Sequence, residues 1–154
     1  MNVKELKCLV EEIVKNAERL KNKHLKNDNS PVNYACIFSQ TQKEYQELIT
    51  LSNKIGKVVK EMPSGMLYQI KPLKTVAGNL QLLKIRIPDA TRPERGDADF
   101  SIPNYPEFKQ RYLHKTGIKL IPKDNFEMIE LMDPEFNVRA YFSYPPLDEQ
   151  FGLK

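Results

Sequence analysis

The sequence has few of the side chains that hold metals or form crosslinks. It contains two cysteines, Cys8 and Cys36, and two histidines, His24 and His114, in 154 residues. A zinc site or a disulfide framework needs such residues in groups at short spacing, and these four do not form one. We therefore expect two buried free thiols, no disulfide and no zinc site.

Long apolar runs are also missing. Charged residues such as Lys4, Glu5 and Lys7 stand where a signal peptide needs an uninterrupted apolar core. No run approaches the length that a membrane-spanning helix requires. The sequence thus predicts a cytoplasmic protein that does not interact with membranes.

The sequence lacks the short motifs that identify common enzyme classes. It has no G-x-S-x-G nucleophile motif, no phosphate-binding P-loop and no dinucleotide-binding glycine pattern. No cofactor is predicted on this basis. Any function must be inferred from the distribution of charge and of apolar residues.

The composition is that of a folded protein with an uneven charge distribution. Charged residues make up 29% of the chain and hydrophobic residues 40%, which favours one ordinary domain over a disordered chain. Residues 1–87 hold 15 lysines and arginines against 8 acids, and residues 88–154 hold 9 against 12. No dense basic cluster occurs, so nucleic acid is not a favoured partner.

The clearest element is an amphipathic helix over residues 1–26, followed by a turn over residues 27–31. Its wide apolar stripe favours packing across the protein's own sheet, although the stripe is also long enough for pairing in a homodimer. Both alternatives remain open from sequence alone. The stripe follows helical spacing at Val3, Leu6, Val10, Ile13, Ala17 and Leu20.

The rest of the chain predicts strands, two shorter helices and an extended tail. The order favours a single α+β domain over residues 1–154, with a mostly antiparallel sheet of about five to seven strands covered by the three helices. Residues 125–132 fit a strand or a helix, and we favour the strand. The predicted strands are 34–38, 57–61, 66–71, 80–87, 118–121, 125–132 and 136–143; the helices are 42–55 and about 105–113, and the tail is 144–154.

The most unusual stretch is residues 88–100, the charged segment, which follows a strand with a basic face. It has no large apolar side chain before Phe100, and proline and glycine set its backbone, so it is predicted to be a loop. Its charged side chains are Asp89, Arg92, Glu94, Arg95, Asp97 and Asp99.

Two hypotheses describe the arginines of this region. Arg86, Arg92 and Arg95 could form a fork for an anionic ligand, because guanidinium groups bind phosphate and carboxylate bidentately. Alternatively, Arg92 and Arg95 pair with acids of the same segment and fix its conformation. We favour internal pairing, and a segment held rigid in this way can still present a ligand site.

The carboxylates suggest a further alternative. Asp97 and Asp99 would point to one side of an extended chain, where they could bind Mg²⁺ or Mn²⁺, or act with Glu94 in acid–base chemistry. The preferred prediction is a non-catalytic binding module that recognises an anionic small molecule or a protein partner through the charged segment and the basic strand. The alternative is a small enzyme that uses these acids on a phosphorylated substrate.

Overall fold

The computed structural model describes residues 1–26 and 30–153. In chain order the helices are α1 (Val3–His24), α2 (Gln42–Ile55), α3 (Tyr105–Tyr112) and α4 (Leu147–Gln150). The strands are β1 (Val32–Phe38), β2 (Gly56–Met62), β3 (Gly65–Thr75), β4 (Gly78–Arg86), β5 (Gly96–Phe100), β6 (Ile118–Pro122), β7 (Glu127–Leu131) and β8 (Val138–Tyr144).

All of these strands form one mixed sheet in the order β2-β3-β4-β1-β5-β8-β7-β6. The pairs β1–β4 and β5–β8 are parallel, and the other neighbours are antiparallel. The chain builds the sheet in two halves of the same design: a strand, a helix and three further strands. The halves meet at the antiparallel pair of β1 and β5, which puts these two strands at the centre. The predicted single α+β domain with a mostly antiparallel sheet is confirmed.

Helices α1, α2 and α3 cover one side of the sheet, the helix face. α1 begins at Asn2, whose side chain and Glu5 form a reciprocal capping box, and it ends at His24, two residues before the predicted end. Its apolar stripe is buried against β1, β5 and β8. Each fully buried leucine, isoleucine or valine contributes about 1.5–3 kcal/mol. The protein's own sheet covers this stripe. A homodimer through α1 stays a prediction, and such a dimer would have to use the polar side of the helix.

The charged segment contains a central strand, where the sequence predicted a loop throughout. Residues 88–95 form the loop, and β5 follows from Gly96. Aspartate and glycine are poor strand formers, but β5 pairs with β1 on one side and β8 on the other. A Cβ atom at Gly96 would overlap the carbonyl oxygen of Cys36, so only glycine allows this close pairing.

The sheet has eight strands, so the predicted number of five to seven is wrong. The strand that the prediction omitted is β5. The other strands lie where the apolar patterns placed them, including the ambiguous residues 125–132, which contain β7. The preference for a strand there is confirmed, since Ile129 and Leu131 pack into the helix-face core.

Three further predictions concern the C-terminal tail, the two cysteines and the turn after α1. Residues 144–154 were expected to be an extended tail, but they include the four-residue helix α4, whose Leu147 is buried. The expectation that Cys8 is buried is wrong, because it lies on the solvent side of α1; Cys36 is buried as expected. The turn predicted over 27–31 falls partly on residues 27–29, which lie outside the described residues.

Within the described ranges, none of the helices has the length and apolar character needed to span a bilayer.

Candidate functional site

The sheet face opposite to α1, α2 and α3, the second face, is polar at its centre. On β5, Ala98 and Phe100 pack into the helix-face core, so Asp97 and Asp99 project to the second face. The same alternation brings Tyr34, Cys36 and Phe38 of β1, Lys84 and Arg86 of β4, and Arg139, Tyr141 and Ser143 of β8 to this side.

Four of these side chains form a row across the four central strands. Lys84 of β4 is in register with Cys36, Cys36 with Asp97, and Asp97 with Arg139. Adjacent strands lie about 4.8 Å apart, so each side chain neighbours the next. All four are buried. Buried charges are rare unless they are paired, so this row is the part of the sheet whose chemistry requires an explanation.

Asp97 is the least satisfied member of the row. Asp97 is 6% exposed, and its Oδ1 atom makes no hydrogen bond within the described part of the chain. Burial raises the pKa of this carboxyl to about 7, although the nearby cation of Arg92 acts in the opposite direction. At neutral pH the carboxyl is therefore close to half-ionised and can donate or accept a proton.

Three cations, Lys84, Arg86 and Arg92, surround Asp97 and form the basic cluster. The ammonium group of Lys84 donates to Ser64 Oγ at 2.6 Å, and burial lowers the pKa of Lys84. The Nε atom of Arg86 is buried and has no hydrogen-bond partner in the described chain. The basic cluster and Asp97 therefore hold one buried donor, Arg86 Nε, and one buried acceptor, Asp97 Oδ1, that have no hydrogen-bond partner among the described residues.

Arg92 reaches the second face from the loop of residues 88–95. Its guanidinium carbon lies 5.5 Å from the centre of the Phe38 ring, and its Nη1 atom donates to the Tyr141 hydroxyl at 3.3 Å. That hydroxyl in turn donates to Glu130 Oε2 at 2.6 Å. These contacts fix the position of Arg92 relative to the other two cations of the basic cluster, with the Phe38 ring next to its guanidinium group.

Asp99 differs from Asp97 in having partners for both carboxylate oxygens. Ser143 donates to Oδ2 through its hydroxyl and to Oδ1 through its backbone amide, at 3.2 Å for the amide. Asn33 donates its side-chain amide to Oδ1 at 3.0 Å. Burial raises the pKa of Asp99 to about 6 and these hydrogen bonds oppose the rise. Asp99 thus links β1, β5 and β8.

Arg95 and Glu94 are engaged in ion pairs that fix the loop. Arg95 binds both carboxylate oxygens of Glu44 on α2, at 2.8 and 2.9 Å, and also donates to the Phe38 carbonyl. Glu94 accepts from Arg139 at 2.9 Å. The predicted pairing of Arg92 and Arg95 with acids of their own segment does not occur, because the partners come from α2 and β8.

The predicted site residues therefore separate into two groups. Arg86, Arg92 and Asp97 come together on the second face, whereas Arg95, Glu94 and Asp99 hold the fold around them. Sequence reasoning missed the side chains that complete the site from β1 and β8. The alternation of apolar and polar residues over 136–143 predicts a strand, but only the pairing of β8 with β5 shows which strand its polar side chains lie next to. These completing residues are Cys36, Phe38, Arg139 and Tyr141.

Two segments enclose the second face. The loop of residues 88–95 covers the end with Arg92, and Arg139 holds this loop by donating to the Thr91 carbonyl at 3.1 Å. The C-terminal residues cover the other end, where Leu147, Phe151 and Leu153 pack with Tyr34, Leu67 and Leu82. The site therefore has a polar floor, a fixed loop at one end and a small apolar cap at the other.

The suggested Mg²⁺ or Mn²⁺ site remains a prediction. Asp97 and Asp99 do point to the same side, but Asp99 is hydrogen bonded to Ser143 and Asn33. Over residues 1–26 and 30–153, no three or more histidine, cysteine, aspartate or glutamate side chains are grouped for metal binding.

Comparison with known proteins identifies related folds and no family. The sequence matches no protein-family model and no curated protein. Structural genomics protein EC4020 has a similar fold, with a TM-score of 0.74 and 11% identity over 97% of this chain and 91% of that one. A glyoxalase/bleomycin resistance protein/dioxygenase superfamily member from Vibrio splendidus 12B01 matches with a TM-score of 0.48 and 11% identity, over 74% of this chain and 97% of that one. At these identities the comparison with EC4020 shows the fold alone, and the second match is too partial to support an argument.

Proposed function

We propose that this protein binds a small anionic molecule, carrying a carboxylate or a phosphate group, at the basic cluster of the second face. The observation that supports this most is that two buried atoms, Arg86 Nε and Asp97 Oδ1, have no hydrogen-bond partner among residues 1–26 and 30–153. Leaving a buried donor or acceptor unpaired costs about 1–3 kcal/mol. A ligand with one oxygen that accepts from Arg86 and a second polar atom that hydrogen bonds to Asp97 would remove both costs.

The local charge also favours an anion. Three cations, Lys84, Arg86 and Arg92, act on Asp97, whose pKa is raised to about 7, and the carboxylate of Asp89 pairs with Arg86 Nη2 at 3.6 Å. The cations therefore outnumber the carboxyl groups at the basic cluster. Arginine presents planar, directed donors that suit carboxylate and phosphate oxygens, and these interactions are stronger away from water. Phe38 and Tyr141 are buried and fix the position of Arg92, which keeps its guanidinium group oriented before a ligand binds.

Asp97 gives the proposed binding a pH dependence. A bound anion beside this carboxyl favours its protonated form, so binding takes up a proton when Asp97 starts ionised. Affinity should be highest below the pKa of about 7 and should fall as the pH rises through it. A site made only of arginine and lysine would show over this range only the pH dependence that comes from the ionisation of the ligand itself.

Ligand-dependent stabilisation tests the proposal. Thermal unfolding is measured at pH 6 with inorganic phosphate, glycerol phosphate and succinate as probes. A ligand at 100 times its Kd stabilises the folded state by about 2.7 kcal/mol, which raises the melting temperature measurably. We expect at least one probe to do so, and Arg86→Gln to remove the rise.

The matched control is Arg111→Gln, which removes the same charge from an exposed arginine of α3. This variant should keep the full rise in melting temperature. An equal rise in all three proteins would mean that the probe acts as a general salt, and the proposal would fail.

A second candidate is acid–base catalysis by Asp97 on the bound anion. The observation in its favour is the pKa of about 7, which suits a group that exchanges protons near neutral pH. Glu94 and Asp99 have the partners described above, so Asp97 is the acid with a free oxygen. Under this candidate, a probe that binds is chemically altered during incubation with the protein, as followed by NMR, and Asp97→Asn abolishes the change. A bound probe recovered intact contradicts it.

A further inference from the structure

A concave site lies on the helix-face side of the sheet, away from the basic cluster. It is a groove of about 720 Å³ at the point where α2 ends at Ile55 and the chain enters β2 directly at Gly56. None of the residues of the basic cluster lines it. The groove is thus a separate feature of the first half of the sheet.

The shape of the groove follows from an irregularity in β3. The pairing of β3 with β4 shifts register between Gln69 and Leu73. Pro72 lies in this interval and cannot donate a ladder hydrogen bond. Residues 70–73 line the groove, so this irregular part of β3 forms one of its walls.

The floor of the groove is apolar. Val3, Ile55 and Leu73 pack against the helix-face core, and Ile70 belongs to that core. A volume of about 300–1,000 Å³ with a largely apolar lining is typical of sites for small molecules. The groove therefore suits an apolar body better than a hydrated ion.

The rim of the groove carries one sign of charge. Lys7, Lys54, Lys57 and Lys71 line it, and no acidic side chain does. Over the described ranges these four lysines form no ion pair, whereas Lys23 and Lys109 are paired with acids elsewhere on the surface. Like charges gathered around a low-dielectric wall raise the local positive potential and attract anions.

We propose that this groove binds a monomeric amphiphilic anion, a small molecule with a phosphate or carboxylate head and a hydrocarbon body. The head lies among the lysines of the rim, and the body lies on Val3, Ile55, Ile70 and Leu73. Charge complementarity at the rim selects the sign of the head group, and the apolar floor selects the chain. This site is independent of the one proposed on the second face.

The test uses octyl phosphate as the probe, below the concentration at which it forms micelles. Isoleucine methyl NMR follows the binding, with Ile55 and Ile70 as reporters in the groove and Ile129 as a buried reporter in the other half of the sheet. We expect saturable shifts at Ile55 and Ile70 and little change at Ile129. The double variant Lys57→Gln/Lys71→Gln should weaken binding by about two- to thirtyfold, which is the range expected when two exposed ion pairs are lost.

A charge-matched control separates local binding from the general effect of net charge. The control Lys119→Gln/Lys123→Gln removes two exposed lysines at the opposite edge of the sheet, one within β6 and one directly after it. This variant should bind octyl phosphate like the parent. Three results would overturn the proposal: no shift at Ile55 and Ile70, equal binding of octyltrimethylammonium, or binding to anionic phospholipid vesicles without binding to the monomeric probe. The last result would assign the lysines to a lipid surface.

Discussion

Asp97 and Asp99 lie two residues apart on the same face of β5, and their hydrogen bonding is opposite. Both oxygens of Asp99 accept hydrogen bonds, from Ser143 and Asn33, whereas Oδ1 of Asp97 accepts none from the described residues. Both residues are buried. Burial alone therefore does not distinguish a structural acid from one that is available to a ligand. The hydrogen-bond partners of the carboxylate oxygens make that distinction.

The first prediction concerns the pH dependence of stability. The carboxyl of Asp97 titrates near 3.9 in an unfolded chain and at about 7 in the folded protein. Between these values the unfolded state loses the proton and the folded state keeps it, so the free energy of unfolding falls as the pH rises from 4 to 7. Asp97→Asn removes this loss and should be more stable than the parent at pH 8, by about 1–3 kcal/mol.

Urea denaturation at pH 4.5, 6 and 8 measures this difference. The surface substitution Asp124→Asn serves as the matched control. Parallel pH curves for the parent and Asp97→Asn would show that Asp97 does not titrate differently in the folded state.

The second prediction concerns the ion pair that holds the loop of residues 88–95. Arg95→Gln removes two charge-assisted hydrogen bonds to Glu44 and should reduce the free energy of unfolding by about 1.5–3 kcal/mol. Combining it with Glu44→Gln should cost less than the sum of the single changes, because both break the same pair. Strict additivity in this cycle would contradict the assignment of Arg95 to the fold.

The third prediction tests the C-terminal cap. Leu147 is 8% exposed and packs with Leu67 and Leu82 on the second face. Leu147→Ala should cost about 2 kcal/mol and should increase amide hydrogen exchange in residues 147–153. Glu149→Ala, an exposed change in the same helix, is the control. Unchanged exchange in Leu147→Ala would mean that this side chain does not hold the cap.

The fourth prediction concerns the two thiols. Cys8 is exposed, and Cys36 is buried in the polar row, where burial raises its pKa strongly. The thiolate is the reactive form, so a thiol reagent at pH 8 should modify one cysteine in the folded protein and two in denaturant. Cys8→Ser should leave no fast-reacting thiol. Rapid modification of Cys36 in the folded Cys8→Ser protein would show that the second face is open.

Much of the fold was predictable because apolar periodicity is local. The stripe of α1 and the alternation in β8 are visible in sequence, and both elements form where predicted. β5 was not predictable from propensity, since the strand is stabilised by pairing with β1 and β8, which are distant in sequence. The candidate site was only partly predictable for the same reason. Sheet pairing brings Arg86 to the face that carries Asp97, the loop of residues 88–95 brings Arg92 there, and Arg95 pairs with Glu44 instead.

The proposed anion site depends most directly on Arg86 and on the protonation of Asp97. Calorimetric titration with inorganic phosphate at pH 6 and pH 8 therefore tests the central claim, with the parent, Arg86→Gln and Asp97→Asn compared. Phosphate itself gains a charge between these two pH values, so the effect of Asp97 is measured as a difference between proteins. We predict saturable binding by the parent, a loss of binding in Arg86→Gln, and an affinity of the parent relative to Asp97→Asn that is higher at pH 6 than at pH 8. Equal heats for the parent and Arg86→Gln, or no saturable binding by any of the three, would contradict an anion site at the basic cluster.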